Sequence, residues 1–251
     1  AGVYTTTAAE QCGYIVQNSG SRFYIAENEE QFDKTLKFRK DNPHLEKVIV
    51  MEMEGLKRFK DPLLMSFDDL LKLGKEFDAK NPGLFEQRRS EVKPDDLAVL
   101  IYTSGTTGPP KGAMLTHQNL LYMSEAMVNA NPVRDGDETL SYLPLCHIFE
   151  QLFTVMINIR YGTVCNFIES PDTVMDNMKE VSPTVTCGVP RIWEKYASGI
   201  MIRMSDATWF KRMIFKACMG IGMKYAGLTL NFKPVPLHLK LAYLAAYVAV
   251  F

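Results

Sequence analysis

Short apolar runs alternate with stretches of helical periodicity along most of this chain. That alternation restricts its fold more than any other feature. Phe23–Ala26 and Lys47–Val50 read as strands, and between them Asn28 opens a helix with Phe32 and Leu36 one turn apart. Upstream, Thr7-Ala8-Ala9-Glu10 has the spacing of a capping box, in which a hydroxyl and a carboxylate exchange bonds with backbone amides three residues apart. The helix it announces carries Cys12, Ile15 and Val16 on one face and stops near Gly20. Ser66 is placed to cap a third helix built on Phe67, Leu70, Leu71 and Phe77. Strands interleaved with amphipathic helices predict an α/β fold of layered, mostly parallel sheets with flanking helices.

Residues 79–96 are polar and include Pro82, Gly83 and Pro94, which predicts a connecting loop between two α/β halves. Beyond it, Leu97–Tyr102 is nearly all apolar, as expected of a strand buried on both faces. The rhythm then repeats, with a helix from Gln118 (Leu120, Met123, Met127), a strand at Thr139–Leu143 and a helix through Phe153, Met156 and Ile157. A strand at Thr163–Phe167, a helix with Val174, Met178 and Val181, and a strand at Thr184–Thr186 follow, and helices fill Pro190–Ala226. The apolar tract Leu239–Phe251 is about half of the ~20 residues that a membrane-spanning helix needs, so a buried helix is expected there.

Composition excludes several classes. The 28 Lys and Arg residues balance 29 Asp and Glu, and a net charge of -1 argues against a dedicated nucleic-acid binder. The five cysteines are odd in number, widely spaced and without a Cys-x-x-Cys pair. They do not form a disulfide framework or a zinc ribbon, and they fit a reducing cytoplasm. The opening Ala1-Gly2-Val3-Tyr4 is not a basic-then-apolar leader, so no signal peptide is expected. No His, Cys and Asp grouping has metal-ligand spacing, so no protein-bound transition metal is expected.

The stretch Tyr102-Thr103-Ser104-Gly105-Thr106-Thr107-Gly108-Pro109-Pro110-Lys111-Gly112 directly follows the apolar strand. Physically it is an anion cradle. Glycines let the backbone approach a ligand and turn N–H groups toward it. Thr103, Ser104, Thr106 and Thr107 add hydroxyl donors, and Lys111 adds a mobile positive charge. It is not the Gly-x-x-x-x-Gly-Lys-Ser/Thr nucleotide loop, because Pro110 stands where the second glycine would be. The competing reading is a solvated turn between strands, but the fixed order of hydroxyls, glycines and lysine is far more restrictive than turn chemistry requires.

Together with the following Ala113-Met114-Leu115-Thr116-His117, this stretch closely resembles the phosphate signature of adenylate-forming (AMP-binding) enzymes, the superfamily of the acyl-CoA synthetases. Tyr142-Leu143-Pro144-Leu145-Cys146-His147-Ile148-Phe149-Glu150 is similar to a second family motif in its long-chain acyl-CoA synthetase version. Ser182 to Arg191, through Gly188-Val189-Pro190, resembles a third stretch that enters a helix. The resemblance implies ATP-binding positions at Thr103, Ser104, Gly105, Thr106, Thr107, Gly108 and Lys111. It implies an acyl and adenylate pocket near His147, Phe149, Glu150, Gly188, Val189 and Pro190.

The implied reaction uses ATP with Mg²⁺ to activate a fatty acid as acyl-adenylate, then transfers the acyl group to coenzyme A. The family's later Tyr-Gly-x-Thr-Glu strand, ribose-binding Asp and catalytic lysine of the C-terminal domain have no counterpart here. Residues 1–251 therefore correspond to part of the N-terminal domain, with no catalytic residue expected in the segment. Within the superfamily, a fatty-acyl-AMP ligase or another adenylate-forming enzyme is the alternative. Outside catalysis, the alternative is a truncated nucleotide-binding module.

Three weaker signals remain. His147 without its motif reads equally as a core histidine. Arg191 reads as structural more than as an anion contact, at the start of a helix with Trp193, Tyr196 and Ile200 on its inner face. From Trp209 to Lys224, Phe210, Met213, Ile214 and Ala217 fall on one face among Lys211, Arg212, Lys216 and Lys224. That pattern is compatible with a core-facing helix and with peripheral contact to an anionic membrane.

Overall fold

Helix α1 (Ala9–Ser19) and strand β1 (Phe23–Ala26) open the chain. They are followed by α2 (Glu29–Phe38), β2 (Lys47–Val50), β3 (Leu64–Ser66) and α3 (Phe67–Lys80). This computed structural model describes residues 1–103 and 108–250, and the chain divides into two compact units, Ala1–Thr186 and Cys187–Phe251.

In the first unit, β1, β2 and β3 form a parallel sheet with β2 central, in the register Tyr24↔Val48 and Val48↔Leu64. Local chemistry explains the helix starts. Asn28 Oδ1 accepts the Gln31 amide at 3.2 Å, and Ser66 Oγ accepts the Asp69 amide at 3.0 Å, so each satisfies an otherwise orphaned donor. Cys12 and Val16 of α1 pack with Phe32 and Phe38 of α2 onto Val48 and Val50 of the sheet, which makes the main core. The left-handed Gly20 (φ 63°) ends α1.

Gly13 lets α1 approach α2, since a Cβ there would stand 2.6 Å from Phe38 Cβ. Gly13→Val is therefore expected to lower stability by about 1–3 kcal/mol through overpacking, read as a reduced urea midpoint with unchanged slope. A wild-type midpoint would show that the two helices can separate at no cost.

The expected capping box does not form. Ala8 is the N-cap of α1, with no side-chain bond to the helix. Thr7 is occupied in a turn, its amide donating to the Tyr4 carbonyl at 2.9 Å and its carbonyl accepting the Cys12 thiol at 3.7 Å. Of the apolar residues on which α3 is built, Phe67 and Leu70 near its start are half-buried, whereas Leu71 and Phe77 are exposed. The stretch 79–96, read as loop, contains a two-turn helix, α4 (Leu84–Glu91).

Strands β4 (Leu97–Thr103) and β5 (Lys111–Thr116) then pair antiparallel. Only Ile101 of β4 is buried, and Met114 on β5 is 69% exposed. A two-stranded hairpin covers neither face fully, so the expectation of a strand buried on both sides is corrected.

Thr116 caps α5 (His117–Ala130) through a reciprocal box with Asn119. Strand β6 (Glu138–Ser141) leads to α6 (Ile148–Glu150), a π-helical stretch Gln151–Ile157 and α7 (Asn158–Tyr161). Strand β7 (Val164–Phe167) pairs parallel with β6, and α8 (Val174–Val181) follows. Thr184–Thr186 is not a strand. It is tied to β6 instead by Thr184 Oγ1, which accepts the Glu138 amide at 2.9 Å, and by the Val185 amide on the Glu138 carbonyl at 3.1 Å.

The second unit holds α9 (Pro190–Ser205), α10 (Trp209–Leu230) and α11 (Leu237–Val250). Trp193 and Ile200 of α9 are about half exposed rather than inward. Helices α10 and α11 pack together, with the rings of Tyr225 and Tyr243 stacked at 4.2 Å. The face of α10 turned to α11 carries Phe215, Cys218, Gly222 and Tyr225, whereas Phe210 and Met213 are exposed. Helix α11 is not buried as expected: Leu241 and Leu244 are exposed, and among the described residues of the helix Ala246 alone is fully buried. Among the described residues, no helix is long and apolar enough to cross a membrane.

Candidate functional site

The β4–β5 hairpin builds the mouth of the site. Pairing of Thr103 with Lys111 closes the ladder, so the two ends of the glycine–threonine loop face each other across adjacent strands. Ser104, Gly105, Thr106 and Thr107 lie outside the described residues. Gly108, at φ 94°, holds a conformation that side chains rarely adopt, with open space where a Cβ would stand. Lys111 is exposed at the first position of β5.

Both shoulders of the loop are tied to α1. Tyr14 donates its hydroxyl to the Pro110 carbonyl at 3.0 Å, and Tyr102 donates to Asn18 Oδ1 at 2.6 Å. A Cβ on Gly112 would stand 3.0 Å from Tyr102 Cζ, so glycine there gives the ring room to lie across β5. Partial burial, together with the nearby Tyr14, pushes the Tyr102 phenol up. It remains a hydrogen-bond donor at neutral pH.

A cavity of about 430 Å³ opens beside this mouth. Tyr102, Thr103 and Pro110 line one side, Cys146, His147 and Ile148 another, and Tyr4, Thr7 and Gln11 a third. The fold thus brings Thr103 and His147, 44 positions apart in sequence, to a single space. The N-terminal segment packs closely on the Cys146 wall, since a Cβ on Gly2 would stand 2.7 Å from Cys146 Cα. Burial raises both the Tyr4 phenol and the Cys146 thiol, which lie near enough to influence each other.

His147 is the N-cap of α6, and its Nδ1 accepts the Phe149 amide at 3.2 Å. With Nδ1 as acceptor, the neutral ring carries its proton on Nε2. Phe149 stacks on Phe153 at 6.1 Å between centroids and does not line the cavity.

Glu150 is 2% exposed. Its carboxyl accepts from Ser141 Oγ at 2.6 Å, from the Leu143 amide at 3.3 Å and from Thr154 Oγ1. The Glu150 side chain thereby ties the end of β6 to the π-helical stretch, and the segment carrying Cys146 and His147 is suspended between them.

Gly188, Val189 and Pro190 belong to the second unit. Val189 caps α9, Pro190 occupies its first turn, and Trp193 Nε1 donates to the Gly188 carbonyl at 3.0 Å. Arg191 is exposed. Among the described residues, no group of three or more His, Cys, Asp or Glu side chains is placed to hold a metal ion.

Sequence reasoning missed Tyr14 and Asn18, which fasten the loop, and Thr7 and Gln11, which line the cavity. Their partners lie far along the chain, and only a three-dimensional arrangement exposes the role.

A family model described as "AMP-binding enzyme" matches residues 1–225. Long-chain-fatty-acid–CoA ligase ACSBG2 of Xenopus laevis is 34% identical over 231 residues, covering 89% of this chain and 30% of that protein. The Mus musculus ACSBG2 is 35% identical over 237 residues, covering 89% and 34%. The chain spans about a third of the length of these curated relatives.

Among solved structures, a Mycobacterium tuberculosis fatty acyl CoA synthetase superposes with a TM-score of 0.56 at 22% identity, over 76% of this chain and 34% of that one. The adenylation domain of a carboxylate reductase from Mycobacterium chelonae gives 0.57 at 20% identity, over 82% and 33%. Those two likenesses concern the fold. With the family model covering most of its length, the chain belongs to the AMP-binding enzymes.

Proposed function

We propose that this chain is the phosphate-loop portion of a ligase that activates a long-chain fatty acid with ATP and passes it to coenzyme A. The observation that carries the reading is the hydroxyl- and glycine-rich loop on a hairpin, with His147 at the edge of the same cavity. The names of the curated relatives, long-chain-fatty-acid–CoA ligases, support the choice of acid and acceptor.

ATP enters as its Mg²⁺ complex, because that cation prefers substrate phosphates to an all-protein cage. Loop amides, the hydroxyls of Thr103, Ser104, Thr106 and Thr107, and Lys111 hold the phosphates, with Gly105 and Gly108 allowing close approach. A carboxylate oxygen of the fatty acid attacks the α-phosphorus, the bond to the bridging oxygen breaks, and pyrophosphate leaves. The coenzyme A sulfur then attacks the acyl carbon, its thiol proton is lost, and AMP departs with the electron pair of the broken C–O bond. His147 presents Nε2–H to an acyl or phosphate oxygen in the cavity. Glu150 and Phe149 hold the pocket wall from behind, and Gly188-Val189-Pro190 shapes the start of α9. The odd, dispersed cysteines fit a reducing compartment, and we assign the enzyme to the cytoplasm.

The test is a ladder of saturated acids given to the intact protein with ATP and Mg²⁺, measuring AMP release with and without coenzyme A. Each buried methylene contributes ~0.8 kcal/mol, so kcat/KM should rise by roughly tenfold for every two carbons until the chain outgrows its site. Preference for acetate or an amino acid would overturn the acid. Release of free acyl-adenylate, unchanged by coenzyme A, would overturn the acceptor.

A further inference from the structure

Helix α1 presents two distinct faces. Ala9, Cys12 and Val16, spaced three and four apart, are buried, and Cys12 and Val16 enter the main core with Phe32, Phe38 and Val48. Gly13 seats the helix against Phe38, so α1 cannot shift without opening that core. Gln11, Tyr14, Ile15 and Asn18, at i, i+3, i+4 and i+7, make up the second face. Gln11 and Ile15 line the cavity that Thr103 and His147 share. Tyr14 and Asn18 meet the β4–β5 hairpin.

That hairpin has little packing of its own to fix it. A pair of strands alone is marginal in water. Among the described residues of β4 and β5, Ile101 alone is buried. The two ties fall one on each side of the loop. Tyr102, in β4, donates to Asn18 Oδ1 at 2.6 Å, and Pro110, directly before β5, accepts from the Tyr14 hydroxyl at 3.0 Å. Four residues advance about 6 Å along a helix and neighbouring strands lie about 4.8 Å apart, so Tyr14 and Asn18 are spaced to reach one strand each. Bonds that only satisfied polar atoms could fall anywhere along the strands. Both fall where the ladder ends, beside the pair Thr103 and Lys111.

We propose that Tyr14 and Asn18 are positioning residues, through which the packed helix α1 sets the separation of Thr103 and Lys111 for contact with ATP. The inference rests on the reading of the glycine–threonine loop as the phosphate site, and it assigns the support of that site to a helix that touches none of the reacting atoms.

In the intact protein, Tyr14→Phe combined with Tyr102→Phe removes both donors and keeps both rings, and Asn18→Ala removes an exposed acceptor. One hydrogen bond of ordinary strength corresponds to roughly twofold to tenfold. The double variant is therefore expected to raise KM for ATP in acid-dependent pyrophosphate exchange by about tenfold, and Asn18→Ala by about threefold. KM for the acid should hold. A variant that merely unfolded in part would lower kcat and leave both KM values alone. Hydrogen exchange supplies a readout without ATP: amides of Leu97–Thr103 and Lys111–Thr116 should exchange about tenfold faster in the double variant, and those of β1 and β2 at the wild-type rate. Unchanged exchange in the hairpin would overturn the proposal, whatever becomes of the ATP reading. Lys111→Ala separates the two. If it weakens use of ATP and the double variant does not, the role of α1 falls and the phosphate loop stands. If the hairpin amides quicken while neither variant alters use of ATP, α1 supports a hairpin that does not meet ATP, and the proposal falls with the reading it rests on.

Discussion

Replacing Lys111 by alanine in the intact protein is expected to reduce acid-dependent exchange of pyrophosphate into ATP by tenfold to a hundredfold. The lysine stands at the first position of β5, paired across the ladder with Thr103, so its backbone is held at one lip of the loop proposed to bind phosphate. A charge-assisted bond to phosphate contributes ~1.5–3 kcal/mol, which is one to two orders of magnitude in the productive complex. Because Lys111 is exposed, its loss should not disturb folding, and the urea midpoint should stay within about 0.5 kcal/mol of wild type. Lys111→Arg keeps the charge on a longer planar group and should recover part of the activity. Exchange at the wild-type rate in Lys111→Ala would remove this loop from the reaction.

What sequence made legible was whatever depends on near neighbours. Asn28 and Ser66 cap their helices because a side-chain oxygen finds an amide three residues away, whatever the rest of the chain does. The α/β class was legible for the same reason, since each strand and helix carries its own periodicity. Thr7 shows where the argument stops. Its spacing to Glu10 fits a box, but a competing turn with Tyr4 uses its amide first. Thr116 offers the converse lesson, capping through Asn119 rather than the Glu or Gln that the pattern seeks.

Burial was the least legible property. The apolar run at Leu97–Tyr102 forms its strand, yet its exposure is set by the number of strands beside it, which no local pattern reports. At the site, the loop's residue types announce anion chemistry, whereas its attachment to Tyr14 and Asn18 spans 96 and 84 positions and leaves no periodic trace.

The second large effect concerns stability. Glu150→Ala is expected to destabilise the first unit by about 2–4 kcal/mol, read as a lowered urea midpoint. The carboxyl is the shared acceptor for the Ser141 hydroxyl, the Leu143 amide and the Thr154 hydroxyl, all drawn toward one buried point. Removing it leaves those donors without their acceptor at a buried point, and each buried orphan costs roughly 1–3 kcal/mol. The hydroxyls can rotate to recover part of the loss, whereas the Leu143 amide is fixed by the backbone. Glu150→Gln keeps one acceptor oxygen at the same volume and should cost about 1 kcal/mol.

The two variants also separate packing from positioning. Cys146 and His147 lie on the segment that Glu150 suspends between β6 and the π-helical stretch, and His147 lines the cavity shared with Thr103. If that suspension sets the geometry of the site, Glu150→Gln should lower kcat more than it raises KM for ATP while remaining folded. A Glu150→Ala protein as stable as wild type would show that the three donors find other partners. The buried carboxyl would then have to be explained by something other than the junction it bridges.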